Sequence, residues 1–279
     1  YPSATAALGH KHPECLAIYG KTPAQIEATP CSVTENLAAN STVSACSHNN
    51  KIIDFQGDNI TIDCVKWSTG PTGFGTRCEN SSGCRNLTIR RSTITGNNGA
   101  CDSQGLNSSG QCFYGQQSLL KLGTYTGAIK SILIEKSDIS RSDIPIAVLG
   151  GPNGDVLGYP GQGNKAVIIR GNRIHAITQV PGAHTDLLTM FESPRGVLIE
   201  NNLFDGSDSI GGANVGSNIQ VQTDSTSAGN FVFRNNHIIS DTNGTTMNLG
   251  PATSCQCPSP IYWENNKVDF NSDTAFAYG

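Results

Sequence analysis

Apolar residues recur along this chain at the second, fourth and ninth places of a nine-residue unit that appears seven times. The copies begin at Asn59, Asn86, Ser131, Ala166, Gly196, Asn230 and Pro260, at intervals of 27 to 45 residues. Their second and fourth places hold Ile60/Ile62, Leu87/Ile89, Ile132/Ile134, Val167/Ile169, Val197/Ile199, Phe231/Phe233 and Ile261/Trp263. A spacing of two, rich in β-branched residues, predicts a short strand with one face inward. The ninth place is apolar again (Trp67, Ile94, Ile139, Ile174, Phe204, Ile238, Val268), so the chain bends and points inward a second time. Repetition on this scale predicts stacked units that bury their apolar faces only against their neighbours.

The seventh place, at the bend, reads Ser92, Ser137, Asn172, Asn202, Asn236 and Asn266 in the later copies. Asparagine tolerates left-handed backbone and bonds nearby peptide groups, so stacked coils predict an asparagine ladder here. The fifth place alternates in sign through all copies: Asp63, Arg90, Glu135, Arg170, Glu200, Arg234, Glu264. If consecutive copies sit one strand apart, every charge meets opposite charges above and below. This column reads as structural, not catalytic. It also makes the stretch from 95 to 130 a loop plus a strand, not a missing coil. Because the column begins with Asp63 and ends with Glu264, end-to-end stacking of copies would bring acids together.

A further strand follows most copies: Leu119–Leu122, Ile144–Leu149, Asp186–Phe191, Asn218–Gln222 and Thr246–Leu249. Strand, bend, loop, strand and return loop describe a parallel β-coil. The apolar-x-apolar-x-x-Asn-x-apolar units, clearest in Val197–Phe204 and Phe231–Ile238, resemble those of the right-handed parallel β-helix superfamily, the pectate-lyase-like fold. The resemblance implies an all-β, single-domain, right-handed solenoid of about seven coils over residues 51–268. Residues 1–50 lack the repeat and are expected to cover the open end of the core as a disulfide-pinned cap. Thr22–Glu27 and Ser32–Ala39 carry helix-start chemistry within it, with Ser32 and Glu35 at capping-box spacing. Residues 269–279 are expected to close the other end.

The ten cysteines (Cys15, Cys31, Cys46, Cys64, Cys78, Cys84, Cys101, Cys112, Cys255, Cys257) point to disulfides and an oxidising compartment. Cys78/Cys84 and Cys101/Cys112 are the local closures; the other pairings stay open. Asn-x-Ser/Thr acceptors for N-glycosylation stand at Asn40, Asn59, Asn80, Asn86, Asn107 and Asn243. The chain opens at Tyr1 without a signal peptide, as a processed mature chain would. With the cysteines, this predicts an extracellular, secreted protein. A net charge of −4 argues against nucleic acid as a partner, and no apolar run approaches a membrane span.

Third-place residues face outward, and Leu133, Ile168, Leu198, Val232 and Tyr262 make them an apolar stripe. Such a stripe is covered by a loop or serves self-association. The further strand is different, with Lys121, Ala147, Thr189, Gln220 and Asn248 predicted outward. Just before it lie Tyr114 and Gln116, Arg141 and Asp143, and His184 and Asp186. By register these converge on adjacent coils, at a groove mouth walled by the long loops. β-Elimination on a uronate polymer needs a cation on the carboxylate, a base for the C5 proton and an acid for the leaving oxygen. Arg141 or Lys121, His184 and Tyr114 fill those roles, with Asp186 orienting His184. Gln116, Thr189, Gln220 and Asn248 are the substrate-binding candidates. His184-Thr-Asp186 also reads as a polar turn in which Asp caps backbone amides.

The expected partner is a polysaccharide, and the resemblance implies a lyase as the leading activity. The rivals are a hydrolase on Asp143 and Asp186, with Asp155 and Glu192 in reserve, and a non-enzymatic structural, adhesive or carbohydrate-binding protein. A zinc reading of the cysteines is weak, because no paired Cys-x-x-Cys units or matched His spacing accompany them, and calcium is the cofactor candidate left open. His10 and His12 could bind a metal near the terminus but read rather as part of a mobile tail with no specific role, and His237 reads as a surface residue.

Overall fold

The computed structural model describes residues 1–32, 36–49, 54–55, 57–69, 76–78, 85–96, 118–122, 130–150, 167–178, 185–192, 195–210, 217–222, 229–240, 245–249 and 261–270. Three parallel sheets of eight strands each run through it, and each turn of the chain contributes one strand to every sheet. The fold is an all-β parallel solenoid. Sheet I holds the opening strands of the repeat: Thr42–Ser44, Ile60–Asp63, Arg85–Arg90, Lys130–Glu135, Val167–Arg170, Arg195–Glu200, Gly229–Arg234 and Ile261–Glu264. Sheet II holds the closing strands: Ser47–Asn49, Lys66–Ser68, Thr93–Thr95, Asp138–Ser140, Arg173–His175, Leu203–Asp205, His237–Ser240 and Lys267–Phe270. Sheet III holds Asn36–Leu37, Asp54–Phe55, Thr76–Cys78, Ser118–Leu122, Ile144–Gly150, Asp186–Glu192, Ser217–Gln222 and Thr245–Leu249. Coils are numbered one to eight in that order, each running through sheets III, I and II.

The inward columns form one core, from Ile60, Ile62 and Trp67 through Leu87, Ile134, Ile169 and Phe204 to Phe231, Phe233 and Ile238. Arg85–Arg90 pairs directly with Lys130–Glu135, so no coil is missing between 95 and 130. The fifth-place charges stand in register as read: Asp63, Arg90, Glu135, Arg170, Glu200, Arg234, Glu264. They bond in twos, Arg90–Asp63 at 3.1 Å, Arg170–Glu135 at 2.8 Å and Arg234–Glu200 at 2.8 Å. The column starts one coil earlier than expected, with Ser44 opposite Asp63. Acid therefore does not end it on both sides.

The ladder of the seventh place is present, with Ser92, Ser137, Asn172, Asn202 and Asn236 buried. Nδ2 of Asn172, Asn202 and Asn236 each donates to Oδ1 of the next asparagine at 3.0, 3.0 and 2.9 Å. Each also donates to a carbonyl of the preceding coil: Ile134, Ile169 and Ile199. Ser137 and Ser92 continue the column by accepting the amides of Ser92 and Val65. The left-handed residue is the sixth, not the seventh: Cys64, Arg91, Lys136, Gly171, Asn201, Asn235 and Asn265 all have φ between 47° and 63°. One left-handed residue turns the chain outward and back, which aims the seventh side chain at the backbone groups the turn leaves unpaired.

The amino-terminal region departs from expectation. Residues 36–49 already form the first coil, because Asn36–Leu37 pairs with Asp54–Phe55. That pairing, with Leu37 buried, overrides the helix expected over Ser32–Ala39. Helix α1 (Pro13–Tyr19) was not foreseen, while α2 (Pro23–Ala28) starts with a capping box between Thr22 and Gln25. These helices do not sit over the end of the core. They lie along its flank, strapped over the sixth-place column. The Tyr1 ring lies 4.6 Å from that of His237 on coil seven, and Gly9 N–H donates to Lys136 O on coil four. Cys15 is disulfide-bonded to Cys64 on coil two, and Lys21 reaches Ala45 O on coil one. Among the described residues of this region, 29–31 extend the end: Pro30 bridges Ser47, and Cys31 is bonded to Cys46. The expected closures Cys78/Cys84 and Cys101/Cys112, and Cys255 and Cys257, involve side chains outside the described residues.

His10 and His12 are ordered, contrary to the tail reading. His10 is buried, with Nδ1 at 2.7 Å from Thr93 Oγ1 and Nε2 at 2.8 Å from Glu27 Oε1. Burial holds its pKa below the usual value against the pull of Glu27. His12 caps α1 by accepting from Glu14 N–H.

Candidate functional site

Sheet III brings the predicted outward residues into one row. Lys121 stands opposite Ala147, Ala147 opposite Thr189, Thr189 opposite Gln220 and Gln220 opposite Asn248. Arg77, which the repeat did not point to, is the register neighbour of Lys121 on coil three. The inward assignment also holds: Leu120, Leu122, Val148, Leu188, Met190, Ile219 and Val221 are buried.

A corner in these strands decides where the acid lies. Leu119 and Leu120, and likewise Leu187 and Leu188, are consecutive residues that both join the core. A regular strand alternates its faces, so two successive inward side chains mean that the chain turns there. Asp186 and Thr189 flank that turn and meet on the outer face, where Thr189 Oγ1 donates to Asp186 Oδ2 at 3.0 Å. Asn218 occupies the inside of the same corner on the next coil, its Nδ2 donating to Ser240 Oγ at 3.0 Å.

Asp143 lies one coil before Asp186, joined through the backbone: Asp186 N–H donates to Asp143 O at 3.0 Å. Asp143 is 2 % exposed, and Asp186 and Thr189 are 0 % exposed. The polar row is thus withdrawn from solvent in its middle. Lys121 and Gln220 are half-buried at either side, and Gln220 Oε1 has no hydrogen-bond partner among the described residues. Arg141 is exposed and left-handed, φ 64°, with its N–H on Ala176 O at 3.1 Å. A Cβ at Gly96 would stand 2.0 Å from Arg141 O, so only glycine lets coil three pass beneath this turn. Tyr114, Gln116, His184 and Asp155 lie outside the described residues, as do the side chains of Glu192 and Asn248.

A second polar cluster, on the outer face of sheet II, was not read from the sequence. His175 Nδ1 is 2.8 Å from Asp208 Oδ2 and its Nε2 is 3.1 Å from Asp138 Oδ1. Asp208 Oδ1 accepts Ala176 N–H at 2.6 Å, and Arg173 Nη2 lies 3.4 Å from Asp208 and 3.9 Å from Asp205. Thr178 and Ile210 bridge beside it, so the cluster clips the segment after Leu203–Asp205 onto coil five. Outward eighth and tenth places were the available signal; Asp208, beyond the repeat, was not. Burial lowers the imidazole pKa, but Asp138 and Asp208 outweigh it and hold His175 up at about 9. Both nitrogens donate to carboxylates, which makes His175 an ionic clip and leaves no lone pair for proton abstraction.

Because the folded pKa lies above the ordinary 6.5, the clip contributes fully below about pH 6.5 and loses its contribution as pH rises through about 9. His175→Gln is expected to cost about 2 kcal/mol at pH 6 and little at pH 10. Urea unfolding of both proteins across that range checks it; an unchanged difference at pH 10 would refute the ionic account.

The expected self-association stripe is already covered at its centre. Leu198 and Val232 are buried within the chain, Leu133 and Ile168 are half-buried, and Tyr262 is exposed. His237 is half-buried, bonded to Asp269 at 2.6 Å. Among the described residues no group of three or more His, Cys, Asp or Glu is arranged to hold a metal ion, and no helix is long and apolar enough to cross a membrane. Comparison with family models, curated proteins and solved structures finds no match to this chain.

Proposed function

We propose that this protein is a secreted right-handed β-helix of the pectate-lyase-like kind that works on polysaccharide at the outer face of sheet III. The observation that carries the reading is the sequestered polar row there. Asp143, Asp186 and Thr189 are withdrawn from water beside half-buried Lys121 and Gln220. Outer faces of solenoid strands are ordinarily solvated, so two buried carboxylates in one row there mark a candidate site. Lys121 and Gln220, half-buried at its edges, are the members of the row that a sugar can approach. β-Elimination remains the leading chemistry, with Arg141 or Lys121 on the uronate carboxylate, His184 as base, Asp186 orienting it and Tyr114 as acid. Hydrolysis by Asp143 and Asp186, which lie on neighbouring coils, is the second reading. With Leu198 and Val232 already covered, lateral assembly through the apolar stripe has less to support it.

Incubation with a panel of uronate polysaccharides, with and without calcium, separates these readings through ultraviolet absorbance of unsaturated ends and through reducing ends. Absorbance that His184→Ala abolishes, and that Asp186→Asn lowers by about 100-fold or more, marks the lyase. Reducing ends without absorbance mark the hydrolase. No product from any polymer sinks both and leaves the non-enzymatic binding reading.

A further inference from the structure

The first residue of the repeat forms a second column, on the outside of coils one to three. Asn40, Asn59 and Asn86 are left-handed, with φ of 63°, 60° and 56°, and all three are exposed. Asn59 Nδ2 donates to Asn40 Oδ1 at 2.9 Å and Asn86 Nδ2 to Asn59 Oδ1 at 2.7 Å. Two residues on, Thr42, Thr61 and Thr88 stand in register with one another, Thr42 exposed and the other two half-buried. Three of the chain's Asn-x-Thr acceptor sequences therefore stack as one ridge, its members one strand spacing, about 4.8 Å, apart.

The turn does not itself demand asparagine. Ser131 and Gly196 take the same left-handed conformation at the same place in later coils, with φ of 53° and 65°. The third place does not demand threonine either, since Leu133 and Leu198 fill it there. The pairing of Asn with Thr on three successive coils thus goes beyond what the backbone requires.

We propose that this ridge is the protein's N-glycosylation site, carrying a glycan on one or more of Asn40, Asn59 and Asn86. The inference rests on the reading of a secreted chain. In the transfer, Nδ2 bonds to C1 of an N-acetylhexosamine delivered as a glycosyl diphosphate of a lipid. The C1–O bond to phosphate breaks, the diphosphate leaves with the electron pair, and one amide proton passes to base. An asparagine nitrogen carries two protons, and the ladder uses one on Asn59 and one on Asn86. The sugar replaces the other, so the column survives modification. The glycans project from coils one to three, whereas Lys121, Asp143, Asp186 and Gln220 lie on coils four to seven, away from the ridge.

The test is secretion of the full chain from eukaryotic cells, with mass spectrometry of its peptides before and after enzymatic removal of N-glycans. Thr42→Ala, Thr61→Ala and Thr88→Ala remove each acceptor signal and leave the asparagine ladder in place. Glycan mass on the ridge, lost site by site in the matching variant, is the expected result. A secreted, disulfide-bonded chain with a bare ridge overturns the inference and spares the secreted reading. A chain retained in the cell with free thiols overturns both.

Discussion

Asp63→Ala is expected to lower folding stability by about 3–5 kcal/mol, the range for stripping one partner from a buried ion pair. Asp63 is 0 % exposed and serves three groups at once. Arg91 holds it with two bonds of 2.9 and 2.6 Å, Arg90 lies at 3.1 Å and Tyr19 OH donates at 2.7 Å. Without the carboxylate, Arg91 stays buried with Glu14 as its remaining acid, because the strap and the Cys15–Cys64 bond keep water out. Glu14 is the control. Lys136 first and Arg91 second hold its pKa down at about 2, yet it is well exposed, so Glu14→Gln is expected to cost under about 1 kcal/mol. Urea unfolding with matched slopes decides it; equal losses in the two variants would mean that burial is not what makes this network matter.

Asn202→Ala is expected to cost about 3 kcal/mol through the groups it orphans. The side chain is fully buried in the middle of the ladder. Its loss removes the donor to Ile169 O and the acceptor of both the backbone and side-chain amides of Asn172. Asn266, at the outer end of the column, is half-buried and receives Asn236 while donating to Phe233 O. Water can take over there, so Asn266→Ala is expected to cost about 1 kcal/mol. Thermal unfolding of the two variants gives the comparison, and a gradient in the opposite direction would sink the account.

Much of the candidate site follows from the register, which the repeat makes legible. Because strand faces alternate and successive copies align, Lys121, Ala147, Thr189, Gln220 and Asn248 had to share a row. The corner did not follow. Leu119-Leu120 and Leu187-Leu188 look in sequence like ordinary apolar runs, and only the packed core shows that both members of each pair face inward. That corner puts Asp186 beside Thr189. The His175 clip depends on Asp208, from a segment outside the repeat, and such contacts carry no periodicity to read.

The sequence by itself determined the stacked strands, the alternating charge column and the asparagine ladder, because each is a local choice repeated at fixed spacing. It also determined that the first strand and the further strand carry opposite kinds of outer face. Tertiary structure alone decided where residues 1–32 lie, that residues 36–49 are a coil and not a cap, and which cysteines pair among Cys15, Cys31, Cys46 and Cys64. Those outcomes depend on single contacts between segments far apart in the chain. A sixth-place column offering Ala45, Cys64, Arg91 and Lys136 gives the amino-terminal helices an apolar and charged flank to bury against, which no one stretch of sequence specifies.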